Sequence, residues 1–102
     1  MNMNDLMRQA QVMQNKVAKL QAEMAEKTIE TSAGGGMVKA VMNGRQELIS
    51  LVIDPQAAAA GDMAMLQDLV VAAVNEGVRI TRQSVEREMA NLSGGIKIPG
   101  MF

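Results

Sequence analysis

The sequence has no cysteine, histidine, tryptophan or tyrosine, and its one phenylalanine is Phe102. Without histidine or cysteine it lacks the commonest general base, the thiolate nucleophile and most transition-metal ligand sets. Disulfides are excluded too, which fits a reducing compartment. Ser, Lys and carboxylates remain, but Ser32, Ser50, Ser84 and Ser93 lie in no nucleophile-elbow or Ser-Lys context, and no paired-carboxylate spacing stands out. These absences argue against an enzyme, and the sequence nominates no cofactor and no small-molecule substrate. The shortage of rings also removes the platform on which single-stranded bases stack. Long apolar runs are missing as well: Leu69 to Val74 is short, with Asp68 before it and Asn75-Glu76 after it. Nothing near Met1 reads as a charged region followed by a continuous apolar one, so a cytoplasmic protein without a membrane partner is expected.

What is present starts with 102 residues, enough for one domain, and 11 methionines. Burial must rest on Met, Val, Leu, Ile and Ala, an adaptable core. From Met3 to Met24 the apolar residues Met3, Leu6, Ala10, Met13, Val17, Leu20 and Met24 recur in alternating steps of three and four. That is a coiled-coil seam and predicts a helical arm over about residues 3–27, with no Gly or Pro to interrupt it. At about 1.5 Å per residue the arm is as long as a small domain is wide, so part of it should project or meet a partner helix.

Residues 28–54 read as a sheet: Thr28 to Ala33, Met37 to Met42 and Gln46 to Ile53 are strand-like runs separated by Gly34-Gly35-Gly36 and by Asn43-Gly44. Asn-Gly is a strong hairpin signal, so an antiparallel meander follows. The glycine triplet beside Lys39 also invites comparison with a phosphate-binding loop. Such a loop ends in Gly-Lys-Ser/Thr and opens a helix, whereas here Met37-Val38-Lys39 begins a strand. The dinucleotide spacing fails as well, because its third glycine would fall on Lys39. The triplet is read as a turn needing positive backbone angles. The third strand is apolar on both parities, with Ile49, Leu51 and Ile53 on one and Leu48 and Val52 on the other. Such a strand expects cover on both faces, by helices on one and by a second subunit on the other.

Asp54-Pro55 ends the third strand, and Gln56 to Gly61 makes a short connection with room for a helical turn. Asp62 is placed as the N-cap of a last helix over about residues 62–92. Its first part, Met63 to Val74, contains only Gln67 and Asp68 as polar residues and reads as buried; beyond Asn75 a thin stripe of Val78, Val85, Met89 and Leu92 predicts pairing with another helix. Gly77, at the change, points to close packing or a bend. Residues 93–102, with Gly94-Gly95 and Pro99-Gly100, read as an irregular tail.

Net charge is −1, so the total carries no nucleic-acid footprint, but its distribution is uneven. Arg8, Lys16 and Lys19 occur in the arm with no acid between Leu6 and Ala22, while the sheet region is acidic. On the last helix Arg79 and Arg87 follow at steps of four through Gln83, with Arg82 close by. These six basic residues are the candidates for gripping phosphates, contacts that give affinity without reading sequence. The competing reading is a solvated face laced by ion pairs, Glu76 with Arg79 and Arg82 with Glu86. A projecting seam and an apolar third strand together point to a symmetric homodimer.

The order of these motifs resembles the YbaB/EbfC nucleoid-associated proteins: a helix like MNDLMRQAQVMQNKVAKLQAEM, then AGGGMVKAVMNG, LVIDP, MLQDLVVAAVNEGVR and a Gly-rich end, GGIKIPGMF. The resemblance spans nearly the whole chain. It implies an α+β fold, an α-β-β-β-α subunit with a three-stranded antiparallel meander and two long helices, homodimeric, with helices projecting as prongs. It further implies duplex DNA as partner, a place in the nucleoid, and a role in nucleoid organisation or gene regulation. The alternative from the residues alone is a dimeric interaction module whose helical arms bind another protein.

Overall fold

A computed structural model describes residues 2–92. The order is α1 (Met3–Glu26), β1 (Thr28–Ala33), β2 (Val38–Asn43), β3 (Leu48–Ile53), α2 (Pro55–Ala59) and α3 (Met63–Leu92). The expected α-β-β-β-α order is therefore present, with α2 as an added turn of helix after β3. The tail expected over residues 93–102 lies outside the described residues.

Helix α1 starts where Asn2 caps it: the side-chain oxygen accepts from the Asp5 amide at 2.9 Å, and the Asp5 carboxylate adds negative charge in the first turn. Its heptad seam is only partly used. Met24 is buried and Val17 and Leu20 are half-buried, whereas Met3, Leu6, Ala10 and Met13 stay exposed. The arm is thus anchored at its C-terminal end and projects at the other.

The strands form one antiparallel sheet in the order β1-β2-β3, with Thr28 opposite Asn43 and Ala33 opposite Val38. Gly34, Gly35 and Gly36 all have positive φ, the backbone region their turn requires. The Asn43-Gly44 turn forms by another route than its dipeptide implies. Gly44 does not have positive φ; Gln46 does, at 62°. The Asn43 side chain organises the loop, its oxygen accepting from the Arg45 amide at 2.9 Å and the Glu47 amide at 3.0 Å. Gly44 is needed for closeness, because a Cβ there would lie 2.2 Å from the Met24 carbonyl oxygen.

The core lies between β2 and α3. Val38, Ala40 and Met42 alternate onto one face of the central strand, and α3 covers them with Leu66, Ala73, Gly77 and Thr81. The small residues let the helix lie close to the sheet, with Gly77 facing Met42 and Thr31. Thr31 Oγ1 donates to the Ala73 carbonyl at 2.7 Å, and Thr81 Oγ1 donates to the Gly77 carbonyl. Both buried hydroxyls are thereby satisfied. The first part of α3 is not buried all round: Met63 and Val71 face outward at 63% and 57% exposure, because α3 covers the sheet with a single stripe.

Within one subunit the sheet is covered on one face only, by α3 over β1 and β2. The face away from α3 carries exposed Glu30, Ser32, Lys39 and Ser50. Helix α3 packs on β1 and β2, leaving β3 as an edge with Leu48, Ile49, Leu51 and Val52 exposed. The register shifts there, Val41 opposing Ser50 and Met42 opposing Leu48, so Ile49 bulges out of the ladder.

Candidate nucleic-acid interface

Arg8, Lys16, Lys19, Arg79, Arg82 and Arg87 are all exposed, divided between the two long helices. On α1, Arg8 and Lys19 are separated by about three helical turns and share a face opposite the row of Leu6, Met13, Leu20 and Met24. The periodicity that buries one side of the C-terminal half therefore presents these cations to solvent. Arg8 and Lys16 also border a shallow depression of about 200 Å³ floored by Val12 and Met13. Of the six, these two are the pair that one surface feature brings together.

On α3 the three arginines span an arc of about 140° at 100° per residue, so they form a broad face and not a line. Arg79 is already engaged: its Nε donates to Glu76 Oε2 at 3.0 Å, and its Nη2 donates to Glu76 Oε1. The hydrogen bond from Arg79 lowers the Glu76 carboxyl below the ordinary glutamate range, with desolvation opposing and Arg79's charge reinforcing; the same contact raises Arg79. The expected pair of Arg82 with Glu86 does not form, and among the described residues Arg79–Glu76 is the sole ion pair. Arg82 and Arg87 are therefore the more available cations on this helix.

Helices α1 and α3 meet through apolar side chains and not through these cations. Leu20 and Met24 of α1 face Val85 and Met89 of α3 across a cleft of about 540 Å³, closed at its base by Gly44 and Arg45. Arg45, a further cation, belongs to the sheet region whose net charge is acidic. The fold of the β2–β3 hairpin against α1 brings Arg45 to the border of the cleft between the two helices. Among the described residues no acidic cluster could hold a metal ion, and no helix is long and apolar enough to cross a membrane.

The model of the YbaB/EbfC DNA-binding family matches residues 1–96. A nucleoid-associated protein of Moorella thermoacetica is 54% identical over 99 residues, covering 97% of this chain and 95% of its own length. Another, from Thermoanaerobacter pseudethanolicus, is 48% identical over 101 residues, 99% of this chain and 91% of its own. The crystal structure of an uncharacterized Helicobacter pylori protein superposes with a TM-score of 0.83 at 24% identity, covering 90% of this chain and 97% of that one, and so shares the fold.

Proposed function

This chain belongs to the YbaB/EbfC DNA-binding family, and from that premise we propose that it binds duplex DNA as a homodimer through the basic side chains of its projecting helices. The observation that carries the reading is the combination of a family match over residues 1–96 with cations exposed on both long helices. Arg8 and Lys19 lie on the side of α1 away from its apolar row with Lys16 on the flank, and Arg82 and Arg87 on α3 are free of carboxylate partners among the described residues. Their role is to hydrogen-bond or neutralise phosphate oxygens, which positions the protein without specifying bases. Sequence preference then comes from DNA shape and bending. The relatives' names place them with the nucleoid, and this protein's role is accordingly in nucleoid organisation or gene regulation, in the cytoplasm and without catalysis.

The second copy is supported by β3. A free, apolar strand edge invites pairing, and a closed symmetric dimer is the usual way to bury one. Leu48, Ile49, Leu51 and Val52 supply that surface, whereas the opposite edge, β1, reads TIETSA and is largely polar. A dimer joined there carries two pairs of helices, enough to reach separated phosphates on one duplex.

Titration of a duplex at rising salt tests the DNA surface. For each phosphate contact removed by changing one of the six basic residues to Gln, the slope of log K against log salt falls by about 0.9. No binding at low ionic strength, or a slope unchanged in the six-fold variant, overturns this surface. The competing interaction-module reading draws on the exposed seam residues Met3, Leu6 and Met13. It requires DNA affinity to be absent under the same conditions.

A further inference from the structure

The cleft between α1, the β2–β3 hairpin and α3 lies beside the point where the described residues end. Its volume is about 540 Å³, with Leu20 and Met24 on one wall, Val85 and Met89 on the other, and Gln21 and Arg45 also lining it. A lining of this mixed kind suits a peptide, which brings apolar side chains together with backbone N–H and C=O groups. Leu92, the last described residue, follows Met89 by three residues and Val85 by seven. At 1.5 Å per residue these two lie only about 4.5 Å and about 10.5 Å back along the helix.

The residues that follow, SGGIKIPGMF, contain no acid and four large apolar side chains, Ile96, Ile98, Met101 and Phe102. Gly94-Gly95 permits the left-handed backbone angles that close a helix and reverse the chain. In extended form Ile96-Lys97-Ile98 puts both isoleucines on one side and Lys97 on the other. The isoleucines are then about 6.6 Å apart, close to the step of about 6 Å that separates Val85 from Met89 along α3. We propose that residues 96–98 of the same chain occupy this cleft, running back along α3 with Ile96 near Met89, Ile98 near Val85 and Lys97 toward solvent. Pro99-Gly100, a turn-forming pair, leads the chain out where the hairpin closes the base of the cleft. Seated there, the segment braces the distal half of α3 against α1, the two helices that carry the exposed cations.

The test uses the full chain, free of DNA, with carbon-13 labelled methionine and isoleucine methyl groups. The expected result is a set of nuclear Overhauser cross-peaks from the Ile96 and Ile98 methyls to those of Met24 and Met89. Diluting the labelled chain with an excess of unlabelled chain leaves these cross-peaks in constant proportion to their parent signals. The double variant Ile96→Asp with Ile98→Asp shifts the Met24 and Met89 signals, leaves outward-facing Met63 in place and keeps the circular dichroism of the wild type. Ile96→Val with Ile98→Val, which preserves the apolar side, leaves Met24 and Met89 close to their wild-type positions. Absence of the cross-peaks, or Met24 and Met89 signals unmoved by the two aspartates, overturns the proposal. So do cross-peaks to Met3, Met7 or Met13, which put the segment along the arm, and a loss of proportion on dilution, which assigns them to a second copy's tail. None of these readouts involves DNA, so their failure is separate from failure of the DNA reading.

Discussion

The amide of Gly44 donates to the carbonyl oxygen of Met24 at 2.9 Å, fastening the tip of the β2–β3 hairpin to the last turn of α1. A methyl group at Gly44 would collide with backbone, its Cβ falling 2.2 Å from the Met24 oxygen and 2.7 Å from the carbonyl carbon. Neither atom is the end of a flexible side chain, so the hairpin and helix must part. Gly44→Ala is expected to destabilise the protein by about 2–3 kcal/mol, read from urea denaturation at fixed protein concentration. The same change at Gly35, which has nothing within 4 Å of the added Cβ, carries only the cost of its positive φ and serves as the comparison.

Thr31 pins α3 to β1 through its hydroxyl on the Ala73 carbonyl. Thr31→Val keeps the shape and removes the donor. Because the Ala73 carbonyl lies inside α3 and keeps its helical partner, the loss is expected near about 1 kcal/mol, the net worth of one hydrogen bond. A larger loss in denaturation, with α3 amides exchanging faster, would mean that this contact sets the seat of the whole helix.

The Glu76 carboxyl, lowered by Arg79, titrates below the ordinary glutamate range and returns to it in Arg79→Gln, as read by NMR of the side-chain carboxyl. A depressed carboxyl pKa gives stability that is present above the ordinary glutamate value and lost as pH falls through the lowered one. Both side chains are well exposed, so the effect on folding is small. For DNA the sign is reversed: Glu76→Gln releases Arg79 and is expected to tighten duplex binding severalfold at low salt. Unchanged affinity would remove Arg79 from the contact surface.

The β3 edge carries the dimer proposal. Wild-type protein is expected to sediment as a dimer at micromolar concentration, and the double variant Ile49→Glu with Leu51→Glu as a monomer. Because α3 packs on β1 and β2, the subunit's own core survives these changes, and circular dichroism should stay the same. A wild-type monomer, or a dimer undisturbed by two buried charges, would place any self-association elsewhere.

Much of this fold is written in local pattern. The three-and-four spacing from Met3 to Met24 makes α1, alternation from Val38 to Met42 makes the central strand, and Gly34 to Gly36 turn the chain through positive φ. Asp62 caps α3 as its position before the apolar run implies, accepting from the Met65 amide at 3.0 Å. Arg8 and Lys19 share a face of α1 because the same helical period that gathers the apolar residues gathers polar ones opposite.

Other features depended on which element met which. The sequence expected helices over one face of β3, but a one-strand offset of α3 toward β1 leaves most of that strand open within the subunit, and no periodicity within LISLVI encodes that offset. Gly44 was read as a turn residue; its need arises from α1, which arrives at that point from a distant part of the chain. Arg45 counted as one charge in an acidic region until the hairpin closed against α1 and α3 and set it at the cleft. Local hydrogen bonding and side-chain period fix elements and their faces. Which faces remain open, and which charges stand at a junction, follow from packing between residues far apart in the chain, and those are decided only when the tertiary structure forms.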